Sequence, residues 1–224
     1  MSIAIPVHRM PHIDYFLPRC LDSLWNQTFQ DFEIVVTDNS DDDLIENICK
    51  FYGGTQYYRN PRKGMAQNTN EAIKRSKGKL IKILYADDYM AHDKALRKIF
   101  NVFEINDFED EWLVTSCTHN DQGQNFTHSI HHPFYSENIQ TGNNTIGSPS
   151  VLTIRNDKPL LFDEEMTWLL DADYYKRLYD KFGDPLILKD VNVVIGLHPG
   201  QATHLMGDER KILEHHYINQ KYAH

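Results

Sequence analysis

Two adjacent carboxylates, Asp87 and Asp88, stand where the apolar run Leu80-Ile81-Lys82-Ile83-Leu84 gives way to a polar segment. Neighbouring acids repel unless a cation lies between them or solvent screens them, and a hard divalent metal carrying a phosphate relieves that repulsion. A second acidic cluster, Asp38-Asn39-Ser40-Asp41-Asp42-Asp43, follows the apolar Ile34-Val35-Val36 in the same manner. Acids at the ends of two strands suggest one site, although Asp41, Asp42 and Asp43 are equally well explained as a solvated turn before a helix. Further on, Asp171 shares a helical face with Trp168 and Tyr175. A carboxylate among aromatic rings is partly desolvated, which raises its proton affinity and suits a general base. Asp173 precedes Arg177 by one helical turn and is expected to form a surface ion pair.

The elements that must position these groups follow from apolar periodicity. The first half alternates strand and helix patterns, the signature of a mostly parallel sheet with helices on its faces. Strands are expected at 3–7, 32–37, 56–58 and 80–84, with helices around 17–25, 44–52 and 64–76; Pro18 is tolerable only near a helix start. Beyond residue 90 the spacing predicts helices at 94–103 and 168–179, strands at 112–118, 151–154 and 191–197, and an amphipathic tail helix over 208–222. Residues 120–123 carry a turn signal, and residues 128–149 have no clear period, as expected of a lid or binding loop. In an open α/β sheet ligands bind outside the carboxyl ends of the strands, where Asp38 and Asp87 both fall.

Composition excludes several classes. A chain of 224 residues, 41% hydrophobic and 25% charged, can bury the core of one domain spanning 1–224. Its net charge of −9 argues against a nucleic-acid partner. Cys20, Cys49 and Cys117 are odd in number and form no CxxC pattern, which indicates neither a disulfide framework nor a zinc site and points to the cytoplasm. The start is too short and uncharged for a signal peptide, and no apolar stretch could span a bilayer. Gly53-Gly54 and Gly64 form neither a P-loop nor a dinucleotide fingerprint. Of twelve histidines, the pairs His131-His132 and His215-His216 need not converge on a metal. Trp25 and Trp112 are expected in the core, whereas Trp168 suits either the core or a stacking surface for a sugar.

Taken together, Glu33-Ile34-Val35-Val36-Thr37-Asp38-Asn39-Ser40, Arg59-Asn60-Pro61-Arg62-Lys63-Gly64-Met65-Ala66-Gln67-Asn68 and Leu84-Tyr85-Ala86-Asp87-Asp88 resemble glycosyltransferase family 2. The opening Pro6-Val7-His8-Arg9 and the Cys20–Thr28 segment are similar to that family's first strand and helix. The resemblance implies the GT-A fold: α/β, with a Rossmann-like, mostly parallel central sheet flanked by helices and a smaller acceptor-side region. Residues 1–90 would form the nucleotide-binding half and 91–224 the acceptor-binding half.

The resemblance also implies an inverting, metal-dependent transfer from a nucleoside diphosphate sugar, uridine being the expected base, to a glycan or lipid-linked acceptor, as in polysaccharide biosynthesis. Pro6 and Val7 would line the base pocket, Asp38 and Asn39 would contact base and ribose, and Lys63, Gly64 and Asn68 would lie near base and diphosphate. Ala86 and Asp87 would meet the donor, and Asp88, Asp87 and His198 would be the candidates to hold Mn2+ or Mg2+; Asp171 would deprotonate the acceptor hydroxyl. Two departures stand out: Tyr85 replaces the first acid of the usual Asp-x-Asp, and Asn39 stands where many relatives have Asp. A peripheral membrane contact through Arg210, Lys211, His215 and Lys221 is compatible with a lipid-linked acceptor. The competing readings are a catalytically silent nucleotide-sugar or glycan-binding module and a sugar nucleotidyltransferase; the latter lacks its expected Gly-rich loop in residues 3–12.

Overall fold

In the computed structural model, which describes residues 1–121 and 125–223, the chain runs β1 (Ser2–Val7), α1 (Ile13–Trp25), β2 (Glu33–Asp38), α2 (Leu44–Tyr52), β3 (Thr55–Arg59), α3 (Met65–Arg75) and β4 (Leu80–Ile83). It continues through β5 (Tyr89–Met90), α4 (Ala95–Ile105), β6 (Trp112–Asp121), β7 (Asn125–His131), β8 (Leu152–Arg155), α5 (Leu170–Phe182), β9 (Leu186–Leu197), α6 (Ala202–Leu205) and α7 (Asp208–Lys221). All six residues of β1 are buried, as expected of a strand covered on both faces. It pairs in parallel with β2 on one side and β4 on the other, and β3 extends the parallel row beyond β2. The chain therefore crosses away from β1 in both directions, which opens a crevice at the carboxyl ends of β1, β2 and β4.

Past β4 the sheet becomes mixed, in the order β3-β2-β1-β4-β8-β6-β9-β5, with β7 paired to β6. The central sheet flanked by helices is the architecture the periodicity predicts. β8 is antiparallel to both β4 and β6, whereas β6 and β9 run parallel, with register shifts around Ser116. The short β5 pairs antiparallel with β9, matching Tyr89 to Val194. That pairing ties the residues just after Asp88 to the strand that leads into His198.

Several expectations need correction. Pro18 lies inside α1 rather than near its start. Its ring removes one helical hydrogen bond, yet the buried stripe Ile13, Phe16, Leu17, Cys20, Leu21 and Leu24 holds the helix against the core. Trp25 is 39% exposed, at the helix end beside Phe32, while Trp112 is buried as expected. Part of the segment expected to be an irregular loop is strand β7, followed by short 3-10 turns at Ile139–Thr141 and Pro149–Val151. β7 pairs on one side only, so its sequence carries no fully buried pattern. The turn expected at 120–123 falls partly on residues 122–124, outside the described residues.

Asp173 is the largest correction. It is fully buried, and its carboxylate meets Arg177 Nε at 2.7 Å, Lys221 Nζ at 2.7 Å and the Tyr222 hydroxyl at 2.8 Å. Periodicity on α5 alone could not reveal this, because α7 supplies the cover. On the same helix Arg210 pairs with Glu214, and Lys221 with Asp163 and Asp173. Among the described residues no helix is long and apolar enough to cross a membrane. Replacing Asp173 with Asn leaves two cations without their shared anion; we expect a loss of about 3 kcal/mol in urea unfolding, and an unchanged midpoint would show that α7 is not anchored there.

Candidate active site

A cleft of about 580 Å³ opens over the carboxyl ends of β1, β2 and β4. At its first end Pro6 and Val7 complete β1, and Asn39 follows β2. Asn68, on α3, is only 2% exposed and acts as a brace: its amide donates to the carbonyls of Val7 and Thr37, both at 2.9 Å. Lys63 Nζ donates to the Asn39 carbonyl at 2.6 Å and pairs with Asp41, and Asn39 Nδ2 donates to Gly64 O at 3.2 Å. Gly64 has φ +116, a conformation open to glycine but strained for other residues. Asp38, by contrast, does not line the cleft. It is fully buried, accepting from the Tyr57 hydroxyl at 2.7 Å and the Ser40 amide at 2.8 Å.

The two central acids point to different places. Asp88 is 2% exposed, accepts from Gly196 N at 2.8 Å and lies 3.4 Å from the Ser148 hydroxyl. Burial, with the Asp87 charge beside it, raises its pKa well above the usual carboxylate range. Asp87 faces the cleft, with Oδ2 3.0 Å from His198 Nε2. The Gly200 amide donates to His198 Nδ1 at 3.2 Å, which leaves the ring proton on Nε2, pointing at Asp87. Phe16 stacks on the same imidazole at 4.7 Å.

Groups that residue spacing did not single out hold this arrangement. Arg19 donates to the Asp87 carbonyl and sits over the Tyr89 ring at 4.5 Å. A Cβ on Gly196 would fall 2.3 Å from the same carbonyl, so only glycine permits the approach of β9. Lys82, fully buried, donates to the Ser150 and Leu152 carbonyls, and burial pushes its ammonium down to about 7. The Ser150 hydroxyl in turn accepts from the Tyr85 amide at 2.9 Å. A lysine inside an otherwise apolar strand was the one available signal.

Another part of the cleft wall carries Asp171, Trp168, Thr167 and Ser148. Asp171 accepts from the Ala172 amide and from Asn144 Nδ2, each at 2.7 Å. Asn144 is itself fixed, because its Oδ1 accepts from the amides of Ile146 and Gly147. Burial lifts the Asp171 pKa to about 6 despite these hydrogen bonds. The excluded histidine pairs diverge: His131 meets the carbonyls of Thr145 and Ile146, and His132 meets Ser116. His215 packs on Trp168, and His216 contacts Gln220. Of the expected site residues, Pro6, Val7, Asn39, Lys63, Gly64, Asn68, Ala86, Asp87, Asp88, Asp171 and His198 all line the one cleft.

The raised Asp171 pKa has a stability consequence. An acid whose native pKa lies near 6 and whose unfolded pKa is near 3.8 destabilises the fold above pH 6, and this penalty vanishes below the unfolded value. Asp171→Asn should therefore gain melting temperature relative to the parent at pH 8 and lose that advantage at pH 3.5. A difference independent of pH, measured by calorimetry, would mean that Asp171 is not desolvated.

Residues 2–158 match the model of a family described as Glycosyl transferase family 2. Chondroitin synthase of Pasteurella multocida (strain Pm70) is 35% identical over 100 residues, covering 39% of this chain and 10% of that protein. An uncharacterized glycosyltransferase of Rickettsia bellii is 33% identical over 142 residues, covering 62% of this chain and 20% of that protein. Among solved structures, S. aureus TarS 1-349 in complex with UDP-GlcNAc superposes with a TM-score of 0.72 at 19% identity, over 92% of this chain and 61% of that one. The likeness to TarS is one of fold, and the chain spans a fifth or less of the length of these two curated relatives.

Proposed function

The chain belongs to glycosyl transferase family 2, and from that premise we propose that it transfers a glycosyl group from a UDP-sugar to a glycan or lipid-linked acceptor, with inversion at the anomeric carbon and Asp171 as the base. One observation carries this reading: a carboxylate held near pKa 6 lies on the wall of the same cleft as the Asp87–His198 pair. The fold supports it, since the cleft lies where open α/β sheets receive nucleotides.

Pro6, Val7 and Asn39 form the wall for base and ribose, with Asn68 bracing that wall from behind. Asp38, buried beneath it, supports the Ser40 turn rather than meeting the base itself. The acceptor hydroxyl loses its proton to Asp171 as its oxygen bonds to the anomeric carbon. The bond from that carbon to the diphosphate oxygen breaks, and the electron pair leaves with the nucleoside diphosphate. Oxocarbenium character develops between the two, as in glycoside hydrolysis. With a pKa near 6, Asp171 is largely ionised at neutral pH yet basic enough to share the proton in the transition state.

A divalent cation would neutralise charge developing on the leaving diphosphate. Asp87 fits such an ion, having a carboxylate at the cleft. Asp88 fits it less well, buried and engaged by Gly196 and Ser148. Among the described residues no three His, Cys, Asp or Glu side chains form a metal cluster, so diphosphate oxygens and water would supply the other ligands. The Nε2 proton of His198 suits it to orient Asp87 or to bond a diphosphate oxygen, rather than to ligate the ion.

Thermal shifts with UDP, GDP, CDP and dTDP, each with manganese or EDTA, test the reading. UDP with manganese should stabilise the chain, and EDTA or Asp87→Asn should remove the effect. Asp171→Asn should retain the UDP response while slowing release of UDP from UDP-sugars in the presence of acceptor by about 10³-fold. Normal turnover in that variant would exclude Asp171 as base, and silence toward every nucleotide would exclude the transferase.

A further inference from the structure

The backbone amides of the turn just before α5 are satisfied by a side chain from the far end of the chain. Glu214 on α7 is 2% exposed, and its carboxylate accepts from the backbone amides of Thr167, Trp168 and Leu169 at 2.9, 2.8 and 2.9 Å. Arg210 Nε donates to it at 2.9 Å. These three amides belong to the turn that leads into α5, and an anion beside a helix start is favoured by the helix dipole. That turn is held by α7, which lies beyond the span matched by the family model.

The residues so held are those of the acceptor-side wall. Thr167 and Trp168 line the cleft, and Asp171 follows one turn later. α7 also packs against the Trp168 ring from two more positions, with Lys211 Nζ 5.6 Å from its centroid and the His215 ring edge-on at 5.2 Å. Gly142, at φ +95, allows the adjoining turn to close on both helices, since its Cβ position lies 3.3 Å from His215 and 3.4 Å from Leu169.

We propose that Glu214 is the positioning residue of the acceptor side: through the amides of residues 167–169 it presents Trp168 as the platform for an acceptor sugar ring and aims Asp171 into the cleft. This rests on the transferase reading above. An indole face flanked by a cation suits the apolar side of a pyranose. The charged or titratable groups facing Asp171 are Tyr85 after β4, Tyr175 on α5 and Glu214 on α7. Burial does most to hold the Asp171 proton, and the Glu214 charge adds to it.

Glu214→Gln keeps the shape and removes the charge. NMR of the Trp168 indole and the Asp171 carboxyl should then show a displaced indole resonance and an Asp171 midpoint below that of the parent, with the stabilisation by UDP and manganese unchanged. With UDP-glucose or UDP-N-acetylglucosamine as donor and 4-nitrophenyl pyranosides as acceptors, acceptor KM should rise about tenfold and donor KM stay within twofold. Unmoved Trp168 and Asp171 signals in the folded variant would overturn the proposal. If the parent ignores UDP while both signals still move, the transferase reading fails and the positioning by Glu214 stands. Should Glu214→Gln not fold, Arg210→Gln, which weakens the carboxylate's anchor, is expected to move the same two signals, and their constancy would overturn the proposal equally.

Discussion

Asp87 and Asp88 repel each other, and the structure gives each its own partners. Asp88 lies at the buried floor of the cleft, where the Gly196 amide and the Ser148 hydroxyl take up its oxygens and burial holds its proton more tightly. Asp87 is left facing the cleft beside His198. Much of the second half of the sheet serves this separation. β5 pairs to β9 and brings Gly196 within reach, Arg19 holds the Asp87 carbonyl, and Lys82 fixes the 150–152 backbone beside Tyr85. A buried carboxylate and a buried ammonium would each be costly alone. Here every one has hydrogen-bond partners on an adjoining strand or turn.

The opposite wall follows a different principle. Asp171 is placed by its own helix and its proton affinity is set first by burial; Asn144, from the segment after β7, lowers it and Glu214, on α7, raises it. Both are in turn held by backbone amides, and Glu214 by Arg210 as well. Such a frame holds the Asp171 carboxylate in one orientation and keeps water from solvating it freely, which is the condition for a carboxyl group with a pKa near 6. The buried Asp173 adds a second tie, joining α5 to Lys221 at the end of α7.

The parallel nucleotide-side strands were legible because each is a short apolar run bounded by turn residues, and such runs have few alternatives. That Asp87, Asp171 and His198 line one cleft was anticipated from the end of an apolar strand for Asp87, from an aromatic helical face for Asp171 and from the family resemblance for His198. Pro18 within α1, the strand β7 and the exposure of Trp25 were not, since each depends on what lies across from it rather than on its own neighbours in sequence.

Local pattern thus determined the candidate residues that line the cleft and the strand ends on which its first half is built, because period and turn chemistry act over a few residues. Which of two adjacent acids is the more deeply buried, why Asp38 is buried, and which distant side chain holds the turn before α5 were decided only by the tertiary structure. Those outcomes turn on desolvation and on hydrogen bonds between groups far apart in the chain, such as Asp88 with Gly196 and Glu214 with Trp168. Neither a residue's solvent exposure nor its partner across a sheet is encoded in its immediate neighbours; both exist only once the β4, β9 and α7 segments have packed together.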